Sequence, residues 1–293
     1  MTNISLGNKE KRVTLFLFLF IPLTFLTIFG LLPIIHLIYL SFTSWNGIGW
    51  DYNYVGFKNY YTILSDPIYL QSLRVNFYYL VAGLLQMVIA YYFAVILSEK
   101  TIGMSFFKTL FIIPTLISSV AVAMMFRLFL SPDGPFDSFL TIIQLGRFKR
   151  FWLGDPDQVN ITLSSISLWR HLGISFLLYY GAIQSIPKQY YEYCQLEGAS
   201  LWQKTRDVTI PLTQKIIHLN TLLLIIGVVS VFDIPFIMTN GSNGTSTIVV
   251  KATKLAFDQK KYGIASSLSV LVTLLILLLS AFQQIIRKKG VSK

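Results

Sequence analysis

Six long apolar stretches, separated by shorter polar segments, follow one another along the chain. A helix needs about 20 predominantly apolar residues to cross a bilayer, and each stretch meets that length. The pattern therefore predicts an all-α, polytopic membrane protein with six transmembrane helices. The predicted spans are Val13–Phe42, Val75–Leu97, Phe106–Leu130, Leu163–Ile186, Ile216–Thr239 and Ile264–Ile286.

The first stretch is irregular. Val13–Phe42 is longer than a span requires and contains Pro22 and Pro33, which predicts a tilted or kinked helix, or one that begins at the membrane interface. The basic residues before it resemble the start of a signal peptide. However, the apolar run is too long for one, and no small-x-small cleavage site closes it. We expect this helix to be retained.

The distribution of basic residues predicts the orientation. An even number of spans places both termini on one side, and the terminal segments 1–12 and 287–293 are basic. The positive-inside rule then makes both tails cytoplasmic. The external loops also carry basic residues. Because those loops are longer, we give the basic residues of the tails more weight in predicting the orientation. The predicted loops are 98–105 and 187–215 on the cytoplasmic side, and 43–74, 131–162 and 240–263 outside.

Composition excludes several classes of protein. The chain is 54% hydrophobic and 13% charged, which fits neither a soluble domain nor a disordered chain. The net charge of +11 does not predict nucleic-acid binding, because the basic residues lie mostly at the ends of apolar runs, where they meet anionic lipid. Cys194 is the only cysteine, so neither an internal disulfide nor a cysteine-based metal site is expected.

The polar segment 187–215 carries the pattern of a helix-turn-helix. Pro187 suits a helix start, Lys188–Leu196 predicts about two turns, and Gly198 suits the left-handed residue that ends them. Ser200 and Gln203 have the spacing of a capping box for a second short helix, which Trp202 is expected to anchor. Pro211 then leads into the fifth span. An ordinary amphipathic connector is the alternative interpretation.

This segment resembles the cytoplasmic coupling motif of binding-protein-dependent ABC transporter permeases, which reads E-A-A, three residues, G-A, then a hydrophobic-x-hydrophobic-Pro run. The chain departs from it at Tyr193 and Cys194, where alanines are usual, at Glu197, where aspartate is usual, and at Thr205, where phenylalanine is common. The matching residues are Glu192, Gly198, Ala199, Val208, Ile210 and Pro211.

The resemblance extends over nearly the whole chain and is closest to the sugar and glycerol-phosphate branch, in particular to the first of its two permease subunits. It implies a type I ABC importer transmembrane domain over residues 13–286. The further segments that carry it are Ser41–Asn46, Phe106–Leu110, Trp152–Pro156, Gln184–Pro187 and Tyr262–Ser267.

What the resemblance implies about function is specific. The chain would be a permease subunit in a bacterial plasma membrane, forming half of the path for a carbohydrate, expected to be an oligosaccharide. Its partners would be a second permease subunit, two ATP-binding subunits and an extracellular solute-binding protein. The ATPase would dock on the helix-turn-helix, with Glu192, Glu197, Gly198, Ala199, Trp202 and Pro211 as the coupling residues. ATP would bind to the partner, since this chain has no phosphate-binding loop and is not expected to be an enzyme or to hold a cofactor.

Polar residues inside the spans are candidates for the substrate path, because ionisable groups are costly there. Arg170 and Asp233 lie at similar depths, and we hypothesise that they approach each other or share a polar cavity. Alternatively, Arg170 snorkels to the surface and Asp233 faces water. Sugars bind aromatic faces and hydrogen-bonding groups, so Asn76, Trp169 and Tyr179 are added as candidates. Gln86, Tyr180, Gln184 and Asn240 are further available groups, whereas His171 is expected to be structural or interfacial.

Three alternatives remain beside a sugar importer. The same machine would also suit glycerol 3-phosphate or another polar solute. A stand-alone secondary transporter should show inverted repeats and central charges, and no convincing repeat is found. A membrane enzyme should show a buried catalytic constellation, and neither such a constellation nor converging metal ligands are found.

Overall fold

The computed structural model describes residues 8–49, 52–98 and 104–291, and these residues are almost entirely helical. Their only β-type pairing is one isolated antiparallel bridge between Thr43 and Tyr54. Short π turns lie at Thr27–Leu31 and Thr205–Thr209. The α-helices are α1 (Asn8–Leu26), α2 (Leu32–Ser41), α3 (Lys58–Ser65), α4 (Pro67–Ile96), α5 (Met104–Leu116), α6 (Ser119–Phe129), α7 (Pro135–Ile142), α8 (Pro156–Gln184), α9 (Lys188–Leu196), α10 (Leu201–Lys204), α11 (Ile210–Val229), α12 (Asp233–Thr239), α13 (Ile248–Phe257) and α14 (Tyr262–Val291).

Five helical segments are long and apolar enough to cross a membrane, and a bent pair of helices makes a sixth if it is counted as one span. This agrees with the predicted number, but most helices extend beyond the predicted apolar runs. The five segments are Thr14–Ser41, Pro67–Ile96, Pro156–Gln184, Leu201–Thr239 and Tyr262–Ile285. The irregularity expected in the first of them takes the form of the π turn at Thr27–Leu31.

The third predicted span is not one continuous helix. Helices α5 and α6 meet at an angle of 97°. The break has a local cause: Pro114 removes a backbone donor near the end of α5, and Ser118 caps α6 by accepting a hydrogen bond from the Ala121 N–H at 3.2 Å. The prediction of a single helix over Phe106–Leu130 is therefore wrong, because apolar composition does not record the direction of the chain.

The chain divides into two compact units, with boundaries inside α13 and α14. The first unit holds residues 1–65 and 254–271. Here the Asn59 amide donates to the carbonyls of Ser41 and Thr43 at 2.9 and 2.8 Å, and the Ser267 hydroxyl donates to Ser41 at 2.7 Å. Gly263 packs directly on this clamp, because a Cβ there would lie 2.0 Å from the Thr43 carbonyl oxygen. The end of α2 is thus held to the start of α14.

The second unit holds residues 66–253 and 272–293, and α4, α5, α8 and α11 pack together within it. One core gathers around Val122, Val159 and Leu163, and another around Ala94 and Phe176; all five are fully buried. These two cores hold the long helices side by side and so fix the polar groups that lie between them.

Close approach of α5 to α8 depends on one glycine. A Cβ on Gly173 would lie 2.4 Å from the Phe111 carbonyl oxygen and 3.2 Å from the Ile112 Cα. The Thr115 hydroxyl, one turn further along α5, donates to the Arg170 carbonyl at 2.8 Å. The backbones of α5 and α8 are therefore in contact at Gly173, and a larger residue at this position would require one of the two helices to move.

Candidate functional site

Helix α9 ends as the sequence predicts. It runs from Lys188 to Leu196, and Gly198 has φ +67°. The Ala199 N–H donates to the Cys194 carbonyl at 2.9 Å, and the Gly198 N–H donates to the Gln195 carbonyl at 3.1 Å. These two bonds form a Schellman motif, which pairs the last carbonyls of the helix. The end of α9 is therefore a defined turn rather than a frayed end.

The predicted capping box at the start of α10 is confirmed. The Gln203 N–H donates to the Ser200 hydroxyl at 3.4 Å, and the Ser200 N–H donates to the Gln203 side chain at 2.8 Å. The expectation of a separate second short helix is wrong, however. Helix α10 passes through the π turn Thr205–Thr209 into α11 without a break.

The π turn explains how Pro211 fits inside this continuous helix. Proline lacks an N–H and its ring crowds the carbonyl four residues earlier, so an α-helix would be strained at that point. The wider π turn lies immediately before it, and the Thr209 hydroxyl donates to the Lys204 carbonyl at 3.3 Å. Residues 210–215, predicted to be loop, therefore form the first turns of α11.

The residues predicted to couple lie on the surface of this element. Glu192, Glu197, Gly198 and Pro211 are exposed, and Ala199 is half-buried. Trp202 is 69% exposed, so the expectation that it anchors the second helix is wrong within this chain. Two other large apolar side chains of this element are exposed to at least the same extent, Tyr193 at 71% and Leu196 at 87%. We name Tyr193, Leu196 and Trp202 the exposed apolar face.

The inner side of α9 is attached to the helix that follows. The Tyr191 hydroxyl and the Thr209 hydroxyl are hydrogen-bonded at 3.2 Å, which joins α9 to the π turn. Nearby, the Gln184 amide at the end of α8 donates to the Ser98 carbonyl at 3.2 Å. The element is thus held at its base, while the exposed apolar face points away.

A cavity of about 240 Å³, with mostly apolar walls and a few polar groups, lies between α4, α8 and α11. Three side chains along its wall form a hydrogen-bonded network. The Gln86 amide donates to the Ser175 hydroxyl at 2.6 Å, and the Asn220 amide donates to Ser175 at 2.9 Å and to the Tyr179 hydroxyl at 2.8 Å. The Tyr79 hydroxyl also lines the cavity, and it is buried without a hydrogen-bond partner.

The predicted path residues Asn76 and Tyr179 are buried between helices and have hydrogen-bond partners within the chain. The Asn76 amide donates to the Val228 carbonyl at 2.6 Å and its oxygen accepts from the Ile248 N–H at 3.3 Å, so its polar atoms are already used. Tyr179 is buried and packs edge-to-face on Tyr91. Trp169 is 37% exposed and packs edge-to-face on Phe126. None of these three residues lines the cavity.

Arg170 and Asp233 do not form an ion pair. Across the described ranges the one ion pair joins Arg206 to Asp207, at 3.7 Å on the surface. The guanidinium Nη1 of Arg170 lies 3.2 Å from His171 Nε2, while its Nε is buried without a partner. His171 lines the cavity, so Arg170 contacts the cavity wall through its neighbour in the chain. Arg170 and Asp233 do not touch each other.

Sequence reasoning missed Ser175, Asn220 and Tyr79 as cavity residues and included Gln86 only as an available group. Asn220 had a usable signal, because it is an isolated amide inside the apolar run of the fifth span. Buried polar groups in a membrane need partners, so its position implied a polar neighbour on another helix. Its partners were not readable, since Ser175 and Tyr179 are more than 40 residues away in the chain.

We expect an Asn220→Ala variant to be less stable by about 1–3 kcal/mol, because Ser175 and Tyr179 would lose a partner in a buried site. Thermal unfolding of the purified chain measures this. The control is Asn240→Gly, an exposed asparagine with φ +50° that glycine replaces without strain. Equal melting temperatures for the Asn220 variant and the wild type would contradict the network.

Together, the multi-span helical bundle, the cavity between its helices and the capped element at one end are the features expected of a membrane permease. Residues 66–290 match the family described as "binding-protein-dependent transport system inner membrane component". The chain belongs to this family and is a multi-pass membrane protein.

Individual relatives agree with this membership. The chain is 30% identical to the probable ABC transporter permease protein YurN of Bacillus subtilis, over 96% of this chain and 98% of that protein. It is 28% identical to the diacetylchitobiose uptake system permease protein NgcF of Streptomyces coelicolor, over 92% and 81% of the two chains. Its fold matches a bacterial ABC transporter involved in import of the acidic polysaccharide alginate, with a TM-score of 0.84, 21% identity and 96% of each chain covered. The predicted ABC importer permease fold is confirmed.

Proposed function

We propose that the chain is one of two permease subunits in an ATP-driven carbohydrate importer of a bacterial plasma membrane. The observation that supports this proposal most directly is the capped element, which exposes three large apolar side chains. It continues without a break into α11, which forms one wall of the cavity. Such an arrangement links a protein-docking surface directly to the cargo path. The partners in this proposal are a second permease, two ATP-binding subunits and an extracellular solute-binding protein.

Coupling follows from the geometry of this element. The Schellman turn and the capping box fix the angle between α9 and α10, and the bond from Tyr191 to Thr209 holds α9 against the π turn. An ATPase that grips the exposed apolar face would therefore move α11 as well. Glu192 and Glu197, both exposed on the same element, add a polar rim. ATP binding and hydrolysis belong to the partner, and this chain needs no cofactor.

A carbohydrate is the cargo that the cavity supports best. Its wall carries the amide and hydroxyl groups of Gln86, Ser175 and Asn220, which bond to one another, and the Tyr79 hydroxyl, which has no partner. Groups of these kinds bind sugar hydroxyls. Relatives named for uptake of diacetylchitobiose and multiple sugars favour an oligosaccharide. Glycerol 3-phosphate is the second cargo, favoured by the guanidinium of Arg170, which contacts His171 on the cavity wall and has no carboxylate partner among the described residues.

The same proposal determines the orientation of the chain in the membrane. An ATPase is cytoplasmic, so α9 and α10 face the cytoplasm, and the basic tails lie on that side in accord with the positive-inside rule. The external loops then present the binding-protein surface, with the aromatic residues near the membrane interface.

The test is a pull-down of the full chain from membranes of its own cells. We expect Trp202→Ala combined with Leu196→Ser to reduce co-purified ATPase by tenfold or more, because buried aromatic anchors dominate interfaces. The control is Tyr61→Ala, an equally exposed aromatic (74%) in the predicted external loop. Recovery of a lone chain that transports without ATP would reject the importer and favour a secondary transporter.

Arg170 and Asp233 provide a further test of the path. We expect Arg170→Gln and Asp233→Asn each to lower the uptake rate, and the double variant to lose less than the product of the single losses, because the hypothesis that the two residues share one polar environment requires their effects to be coupled. Uptake of a radiolabelled oligosaccharide into cells measures this. Strictly multiplicative losses would show that the two residues act independently, as the snorkelling alternative holds.

A further inference from the structure

A second cavity lies beneath the element formed by α9 and α10, and the proposed function does not use it. Its volume is about 440 Å³, within the range of small-molecule sites. It opens between the end of α4, the end of α8, the inner side of α9 and the π turn, all within the second unit. It is therefore placed between the surface that would meet the ATPase and the bundle that would move.

The wall of this cavity carries positive charge. Lys188 from α9 and Lys204 from α10 both line it, and none of its described lining residues bears a carboxylate. Neither lysine forms an ion pair in the described ranges. Two lysines on one concave surface that carries no acid favour an anionic ligand over a neutral one.

The remaining wall is divided by polarity. Val95, Ile183 and Ile186 supply an apolar part where α4 and α8 end, and all three are buried. Gln195 and Thr205 supply amide and hydroxyl groups to the same wall. Apolar residues at the ends of two membrane helices, together with two lysines, match the boundary between acyl chains and headgroups in a bilayer.

We propose that this cavity binds the phosphate of an anionic ligand between Lys188 and Lys204. Each ammonium group has three hydrogen-bond donors, so the pair can share the oxygens of one phosphate. The same chemistry is offered by an anionic phospholipid headgroup and by free inorganic phosphate. The bound phosphate joins α9 to α10 across the glycine turn and stiffens the coupling element. This inference goes beyond the proposed function and does not depend on which solute is carried.

The test measures binding on the full chain purified with whatever partners it retains. Wild type and Lys188→Gln/Lys204→Gln are compared by native mass spectrometry and thermal unfolding. The probes are short-chain phosphatidylglycerol, zwitterionic phosphatidylcholine and inorganic phosphate. The control is Lys149→Gln/Lys215→Gln, which removes the same charge from two exposed lysines outside the cavity. No measurement needs transport or ATP hydrolysis, so failure here is separable from failure of the importer.

We expect phosphatidylglycerol to bind and stabilise the wild type and the control variant. The Lys188/Lys204 variant should bind it on the order of 30-fold more weakly, from about 1 kcal/mol per basic residue near an anionic surface. Stabilisation of the wild type by inorganic phosphate, lost in the same variant, would support the site and identify free phosphate as its source. Equal binding of all probes by wild type and variant, or an equal loss in the control, would overturn the proposal.

Discussion

A Gly173→Ala variant is expected to lose about 2–3 kcal/mol of stability, a very large effect for one added methyl group. The new Cβ would lie 2.4 Å from the Phe111 carbonyl oxygen, and this neighbour is backbone that no side-chain rotation can remove. Overpacking of this kind forces helices apart. Denaturant or thermal unfolding of the detergent-solubilised chain measures the loss, together with the yield of folded protein from membranes.

Gly181→Ala is the matched control because it lies in the same helix. A Cβ on Gly181 meets nothing within 4 Å, so this variant should keep or slightly raise the stability through better helix propensity. If both variants unfolded at the wild-type temperature, the close approach of α5 and α8 would be incorrect.

A Gly198→Pro variant is expected to remain in the membrane but to lose its ATPase almost completely. Proline fixes φ near −65°, whereas Gly198 has φ +67° and donates its N–H to the Gln195 carbonyl. The substitution therefore removes the Schellman turn and redirects α9 relative to α10. Co-purification of the ATPase measures the effect, with membrane yield and thermal stability as measures of the remaining fold.

Two alanine variants separate the turn from general backbone strain. Gly198 and Gly49 both have positive φ, and neither has a neighbour within 4 Å of an added Cβ. Gly198→Ala and Gly49→Ala should thus incur a similar strain of about 1–2 kcal/mol. Only the first should weaken ATPase binding. Equal retention of the ATPase by the wild type and Gly198→Pro would reject the coupling role of this element.

Local signals in the sequence predicted the ends of α9 and α10 well. The bounds Lys188–Leu196, the left-handed Gly198 and the capping box between Ser200 and Gln203 are all found in the structure. Each depends on residues within a few positions of one another, so a single sequence contains the necessary information. The proposed contact of this element with an ATPase stays a prediction.

The starts of two long helices were predictable but were placed too late. Helices α4 and α8 begin at Pro67 and Pro156, each directly after an aspartate that caps the helix by accepting a backbone N–H. The apolar runs, and with them the predicted spans, begin only at Val75 and Leu163. Capping residues mark the beginning of a helix, whereas hydropathy marks only the part that meets lipid.

The cavity and its network were not predictable from one sequence. Gln86, Ser175 and Asn220 lie on three different helices, and their bonds depend on how α4, α8 and α11 pack. The same limit applies to Arg170 and Asp233, whose similar depths suggested a pair. Depth along two helices does not determine which way their side chains face, and the guanidinium of Arg170 lies against His171 instead of Asp233.

The π turn at Thr205–Thr209 also determines how the residues before it are rotated about the helix axis relative to the residues after it. It accommodates one more residue per turn than an α-helix, and each residue rotates the chain by roughly 100° about the helix axis. Leu201 and Trp202 precede it, and Asn220 follows it on the same helix. The direction in which Trp202 points around the helix axis, relative to the cavity-facing Asn220, thus depends on the one extra residue in the π turn. Within this family, insertion or deletion of one residue at this point would turn the docking surface to a different side while the span itself keeps its packing.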